Sequence, residues 1–107
     1  MLEWVRKVTS QAQLNTSVCT GAFLLGATGL LDGHAVTTHW SALDDLARQY
    51  PKAQVRRDVR WVDEGQLVTA AGISAGIDMS LHLVERLAGG ELAQEVARYM
   101  EYRWQEQ

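Results

Sequence analysis

The sequence predicts an α/β fold, a sheet covered by helices, and three observations predict it. Segments with the three-to-four-residue apolar period of helices alternate with short runs rich in β-branched residues, in the order α-β-α-β-α-β-β-α-α. Turn residues punctuate that order: Asp32-Gly33, Pro51, Asp63-Glu64-Gly65 and Gly89-Gly90. An apolar content of 47% over 107 residues suits one small domain with a modest core.

The first element is an amphipathic helix, with Leu2, Val5, Val8 and Ala12 near one face and Glu3 and Lys7 as an i,i+4 pair on the other. Residues 14–18, "LNTSV", form a short strand. Residues 20–29, "TGAFLLGATG", form a helix whose Gly21, Ala22, Gly26 and Ala27 let its backbone lie close to a sheet. Each glycine there costs about 1 kcal/mol relative to alanine. Residues 34–40, "HAVTTHW", are a brief β segment, and Ser41 is placed to cap the next helix. That helix has Leu43, Leu46, Ala47 and Tyr50 on its apolar side and ends at Pro51.

Val55, Val59 and Trp61 keep the period of two of a half-buried strand, and after the 63–65 turn residues 66–72 return as a more buried one. A helix over about 74–88 carries Ile77, Leu81, Val84 and Ala88 on one stripe. The last helix, after Gly89-Gly90, carries Leu92, Val96, Tyr99 and Met100 on its apolar side. So few strands do not complete a doubly wound sheet, so a β-rich N-terminal part is expected to be missing, swapped or supplied by another chain.

Several function classes are disfavoured. The net charge is −3 with no basic block, which argues against nucleic acid. No apolar run is long enough to span a bilayer, and charges at Glu3, Arg6 and Lys7 interrupt any signal-peptide pattern, so no membrane association is expected. A single cysteine permits no internal disulfide and fits the reducing cytoplasm. His34, His39 and His82 with that cysteine match no compact zinc spacing, so no metal is expected. "GATG" and "AGISAG" are not phosphate-cradling patterns.

Other polar and aromatic residues have structural readings. His82 falls on the polar side of its helix, and the arginines of "VRRDVR" (55–60) fit a solvated strand face. Asp32, Asp44, Asp45, Asp58, Asp63, Glu64 and Asp78 read as surface or turn residues. Trp40 is placed at a pocket entrance; Trp4, Trp61 and Trp104 suit core or interface positions, with Trp104 and Tyr102 across a dimer contact.

The chemistry concentrates at "NTSVCTGAFLLGATG", residues 15–29. Cys19 stands where a strand stops and a Gly/Ala-rich helix begins, the layout of a nucleophile elbow. Free N–H groups and the positive end of a helix dipole favour a thiolate, and the same N–H groups can bind charge that develops when sulfur attacks an electrophilic carbon. Thr20 adds a hydroxyl beside the sulfur. A lone cysteine is also a common buried small hydrophobe, and on the residues alone both readings stand.

"SVCTGAFLLGATGLLDGHAVTTHW" resembles the elbow region of the ThiJ/PfpI superfamily, of the class I glutamine amidotransferase-like, flavodoxin-like fold. "LVTAAGISAGIDMSLHLVERLAGGELAQEVARYMEY" resembles the strand, turn and closing helices of the same domain. The resemblance implies a three-layer α/β/α sandwich of which residues 1–107 are about the C-terminal half. It is nearest the isonitrile hydratase-like branch and the sensor domains of AraC-type regulators. It implies a cofactor-independent enzyme acting on a small-molecule substrate, here hydration of an isonitrile through Cys19. The alternatives are a ligand-sensing domain, or a protease, amidase, glyoxalase or stress-response protein of the same superfamily. By resemblance Cys19 is the nucleophile, Thr20 assists it, and His39 lies near the thiol. Gly21 supplies an oxyanion-hole N–H, and Trp40, Gly72, Ile73 and Ser74 belong to the pocket rim.

PfpI-type proteases carry His directly after the nucleophile, where this chain has Thr20. The family's active-site acid lies on a strand that would precede Met1. The resemblance also implies a homodimer, or pairing with an N-terminal half.

Overall fold

The computed structural model describes residues 1–105. In chain order these form α1 (Leu2–Gln11), β1 (Asn15–Val18), a 3-10 turn (Cys19–Gly21), α2 (Ala22–Ala27), β2 (Ala35–Val36) and a second 3-10 turn (Trp40–Ala42). Then come α3 (Leu43–Gln49), β3 (Gln54–Val55), β4 (Trp61–Asp63), β5 (Leu67–Ala70), α4 (Ile73–Ala88) and α5 (Gly90–Tyr99). The α/β alternation is that of the sequence.

β5 is the centre of the fold. It pairs parallel with β1, Asn15 opposite Leu67 and Val18 opposite Ala70, and antiparallel with β4 on its other side. All four of its residues are buried. A strand covered on both faces reads as a continuous apolar run, and "LVTA" is one apart from Thr69, whose hydroxyl is bonded to the main chain of Thr37. Successive side chains point to opposite faces, so Leu67 and Val68 serve different cores. Leu67 joins Ala22, Leu25, Leu31, Val36 and Leu46. Val68 and Ala70 join Met79, with Leu14, Trp61 and Leu83 against them. The sheet therefore has α2, α3 and the β2–β3 pair on one face and α4 on the other, the α/β/α layering of a flavodoxin-like fold. α5 folds back along α4 and buries Ala93 and Ala97. Among the described residues no helix is long and apolar enough to cross a membrane.

Two glycines act through close approach. A Cβ on Gly76 of α4 would stand 2.8 Å from Val18 Cγ1, and one on Gly26 of α2 would stand 2.6 Å from the Tyr50 ring. Gly26 thus opens room for the end of α3 rather than for a sheet.

Several expectations are corrected. The strand expected from Val55 to Trp61 is two strands in two sheets: β3 pairs with β2 and β4 with β5. Between them Asp58 takes φ +59°, a left-handed conformation that breaks any extended run. The β segment at 34–40 holds a ladder over Ala35–Val36 only. Thr37 then donates its N–H to the Thr69 hydroxyl, 2.9 Å, and its own hydroxyl to the Arg56 carbonyl, 3.1 Å. The turn before α3 is capped by His39, whose ring Nδ1 accepts from Ser41 N, and not by Ser41.

On α5 the buried stripe is Ala93 and Ala97, while Leu92, Tyr99 and Met100 are exposed. Small residues let two helices approach closely, and the larger ones face outward. On α4, Leu81 is buried as expected, but Ile77 and Val84 are half-buried and Ala88 exposed.

Three polar side chains read as solvated are not. Asp78 is fully buried and paired with Arg60, Nε to Oδ2 at 2.7 Å, so the arginine run 55–60 is not wholly a solvated face. His82 stacks on Trp61 at 3.9 Å between ring centroids, with Nε2 2.7 Å from Asp63 Oδ2. Asp63 is also gripped by Arg86 and by Gly65 N–H. Burial pushes the Asp63 carboxyl up, but the bonds from His82 and Gly65 and the Arg86 charge together hold it below the ordinary value of 3.8. Tyr102 packs on its own chain, its hydroxyl donating to Ser74 O at 3.1 Å, and Trp104 buries its indole Nε1.

Candidate active site at a cysteine elbow

The chain leaves β1 at Val18 in an extended conformation, φ −126° and ψ 137°, and turns sharply at the next residue. Cys19 has φ +57°, left-handed backbone that costs a side-chain-bearing residue about 1–2 kcal/mol. From there the 3-10 turn Cys19–Gly21 runs into α2. Strand, strained cysteine, tight turn and helix follow one another within about a dozen residues, which is the geometry of a nucleophile elbow. The thiol is free and half-buried.

Surrounding bonds over-determine the bend. Cys19 N donates to Ala71 O at 2.6 Å, extending the β1–β5 ladder by one step beyond both strands. Cys19 O accepts the Thr38 hydroxyl at 2.7 Å, and Thr38 is 1% exposed. The elbow is therefore held from the C-terminal end of β5 and from the segment after β2. Behind it, the contact of Val18 with Gly76 seats the end of β1 directly against α4.

The residues singled out in the sequence divide into groups. Cys19, Thr20 and Gly21 make the turn itself. Gly21 has ordinary contact with Ser17, 3.8 Å from its would-be Cβ, so space does not require glycine there. Gly72 is the cap residue just before α4 and faces His39, whose Cδ2 lies 3.6 Å from where a Gly72 Cβ would be. His39 thus reaches the elbow through Gly72, the neighbour of Ala71, while its Nδ1 is engaged by Ser41 Oγ at 2.7 Å. Trp40 leans on the His39 ring at 5.5 Å between centroids and is 77% exposed; Ile73 is 80% exposed. Ser74 turns the other way: its hydroxyl accepts from Arg60 and its carbonyl from Tyr102.

The sequence reading missed Thr38 and Ala71 as elbow supports. Thr38 was visible as the second of two β-branched polar residues directly before His39. Ala71 acts only through its backbone, which side-chain chemistry cannot reveal. A shallow cavity of about 260 Å³ lies apart from the elbow, on the outer face of α5, lined by Leu92, Glu95, Val96, Tyr99 and Met100.

Comparison with known proteins bears on this geometry. Residues 1–86 match the model of the DJ-1/PfpI family. The chain is 45% identical over 101 residues to an isonitrile hydratase from Pseudomonas putida, covering 94% of this chain and 43% of that protein. It is 34% identical to the HTH-type transcriptional regulator CdhR from Pseudomonas aeruginosa, covering 91% of this chain and 29% of that one. In three dimensions it superposes on a THiJ/PfpI family protein from Pseudomonas syringae with a TM-score of 0.85 at 33% identity, over 98% of this chain and 42% of the other. The chain thus spans less than half the length of these relatives.

Proposed function

Since the chain belongs to the DJ-1/PfpI family, we propose that it carries the cysteine elbow of an isonitrile hydratase-like enzyme, with Cys19 as the nucleophile. The observation that carries this reading is the left-handed backbone of Cys19 at the junction of β1 and α2. A buried filler thiol has no use for that strain, whereas a nucleophile lifted to the apex of a turn does. The 45% identity to an isonitrile hydratase supports the substrate class.

In this reading the Cys19 thiolate attacks the terminal carbon of R–N≡C. One proton is delivered to that carbon, giving the thioimidate R–N=CH–S–Cys19. Water adds to the same carbon, the C–S bond breaks, and the N-substituted formamide R–NH–CHO leaves with the thiolate restored. Thr20 guides the proton beside the sulfur, and the Gly21 N–H steadies charge developing at the reacting atoms. His39, held by Ser41 over Gly72, closes one side of the site. Trp40 and Ile73 offer an exposed apolar rim for the R group. The reaction needs no cofactor.

We further infer that residues 1–107 correspond to the C-terminal half of the family domain. The general acid then belongs to a segment outside this chain, as does a strand that would cover the outer edge of β1. Among the described residues β1 is the end strand of the β1-β5-β4 order, which supports such a partner. We assign the chain to the cytoplasm, where a lone thiol stays reduced.

The test is formamide formation from a simple alkyl isonitrile, followed by NMR, using the chain with any partner segment encoded beside it. Turnover that vanishes in Cys19→Ala supports the reading, and turnover that survives the substitution sinks it. The similarity to CdhR favours one second reading, a sensor domain that binds a small molecule at the elbow without consuming it. Saturable isonitrile binding with no formamide would select it.

A further inference from the structure

The elbow is steadied by a group that neither the sequence motif nor the proposed chemistry uses. Asp78 lies on α4 and is fully buried, the one carboxylate with no exposure among the described residues. A buried carboxylate survives only if its oxygens are satisfied. Arg60 meets it with Nε at 2.7 Å and NH2 at 2.5 Å, both on Oδ2. The main-chain N–H of Gln105 donates to Oδ1 at 3.0 Å. Three distant parts of the chain, at residues 60, 78 and 105, thus converge on one side chain.

What they hold matters for Cys19. Arg60 precedes β4, and its carbonyl accepts the Ala71 N–H at 2.8 Å. Ala71 in turn accepts the Cys19 N–H at 2.6 Å. The Arg60 guanidinium also reaches Ser74 Oγ at 3.3 Å, and Tyr102 donates to Ser74 O, so the segment 71–74 is pinned at both ends. A continuous path of hydrogen bonds runs from Asp78 through Arg60 and Ala71 to the backbone of the cysteine. The Tyr102 phenol is raised above 10.0 by burial and then by the nearby Asp78 carboxylate, in keeping with one shared electrostatic cluster.

We propose that Asp78, acting through Arg60 and the 71–74 segment, is a positioning residue that holds Cys19 in its left-handed conformation. It does not touch the reacting atoms. The inference rests on Cys19 being the elbow nucleophile only for its functional meaning; the mechanical coupling stands without it.

The test is amide hydrogen exchange by NMR on the whole chain, comparing wild type with Asp78→Asn. The expected result is exchange at Cys19 and Ala71 faster by about tenfold or more relative to Val68, in the middle of β5. A control, Leu46→Ala, destabilises the opposite layer and should raise all three amides together. A uniform rise in Asp78→Asn, or none, overturns the proposal. Should Asp78→Asn not fold, Arg60→Lys keeps a cation beside Asp78 but gives up the second guanidinium nitrogen, and with it the double grip on Asp78 and the bond to Ser74 Oγ. It should then speed Cys19 and Ala71 exchange by about threefold with Val68 unchanged, and no change at Cys19 overturns the proposal. Formamide turnover by the wild type tests the nucleophile reading separately. Its absence would leave the exchange pattern intact, so the two failures are told apart.

Discussion

Gly76 of α4 faces Val18 of β1 so closely that a Cβ at position 76 would come within 2.8 Å of one Val18 methyl and 3.1 Å of the other. Val18 is the residue before Cys19, so helix α4 sets the height from which the elbow begins. Gly76, the second glycine of "AGISAG", is there for packing.

Gly76→Ala should therefore destabilise the chain despite alanine's better helix propensity. Overpacking of a close contact costs about 1–3 kcal/mol, against roughly 1 kcal/mol gained from propensity. Urea unfolding should show a net loss. Val18→Ala in the same background should recover part of it, because the clash is with the valine methyls. An unchanged midpoint in Gly76→Ala would mean that α4 and β1 separate easily.

Thr38→Val should loosen the elbow from its other side. The Thr38 hydroxyl is buried and donates to Cys19 O. Valine has a similar shape but leaves that carbonyl without its side-chain donor, a loss of about 1–3 kcal/mol. Thr38→Ser keeps the donor and should retain most of the stability. Equal losses in both variants would assign the role of Thr38 to its methyl group.

How much of this was legible beforehand follows from the kind of interaction. The layer order was readable because β5 advertises burial on both faces and the helices keep their period. The elbow was readable because Cys19 falls between a β-branched run and a Gly/Ala run. The break at Asp58 was hidden, since the spacing of Val55, Val59 and Trp61 in "VRRDVRW" carries the strand period through residues 55–61 and nothing local marks a left-handed aspartate. Asp78 was misread because its partner, Arg60, lies 18 residues away, and only the fold brings them together. On α5 the larger apolar residues suggested the wrong face, since alanine at Ala93 and Ala97 is what α4 accommodates.

The Asp63 cluster should give the chain an acid-sensitive stability. Its folded carboxyl sits below 3.8. A depressed carboxylate contributes stability that is fully present above its unfolded value. That contribution is lost as pH falls through 3.8 toward the folded value, because the unfolded chain takes up the proton first. Asp63→Asn should lower the urea midpoint at pH 7 and flatten the decline below about pH 4. A parallel downward shift at every pH would assign the loss to packing rather than to ionisation.

Tyr102 predicts the opposite limb. Its phenol is raised above 10.0, first by burial and then by Asp78. Its contribution is present below about pH 10 and declines as pH rises through that value toward the folded one, since the unfolded chain ionises first. Tyr102→Phe should remove this alkaline decline, and a denaturation series between pH 8 and about 11 measures it. An identical alkaline limb in wild type and variant would place the effect elsewhere.

The strain at Cys19 is itself measurable. With φ +57°, any residue that bears a Cβ pays about 1–2 kcal/mol there, and glycine does not. Glycine gives back roughly 0.5–1 kcal/mol by loosening the unfolded chain. Both substitutions lose the half-buried sulfur, so Cys19→Gly, relieved of the strain, should stay close to the wild type in urea, whereas Cys19→Ala, which keeps the strain, should be less stable. Both should be inactive if the thiol is the nucleophile. That pairing, activity lost while stability is kept, is the signature of a residue held in place for chemistry. A Cys19→Gly variant less stable than Cys19→Ala would instead mean that the thiol earns its position by packing.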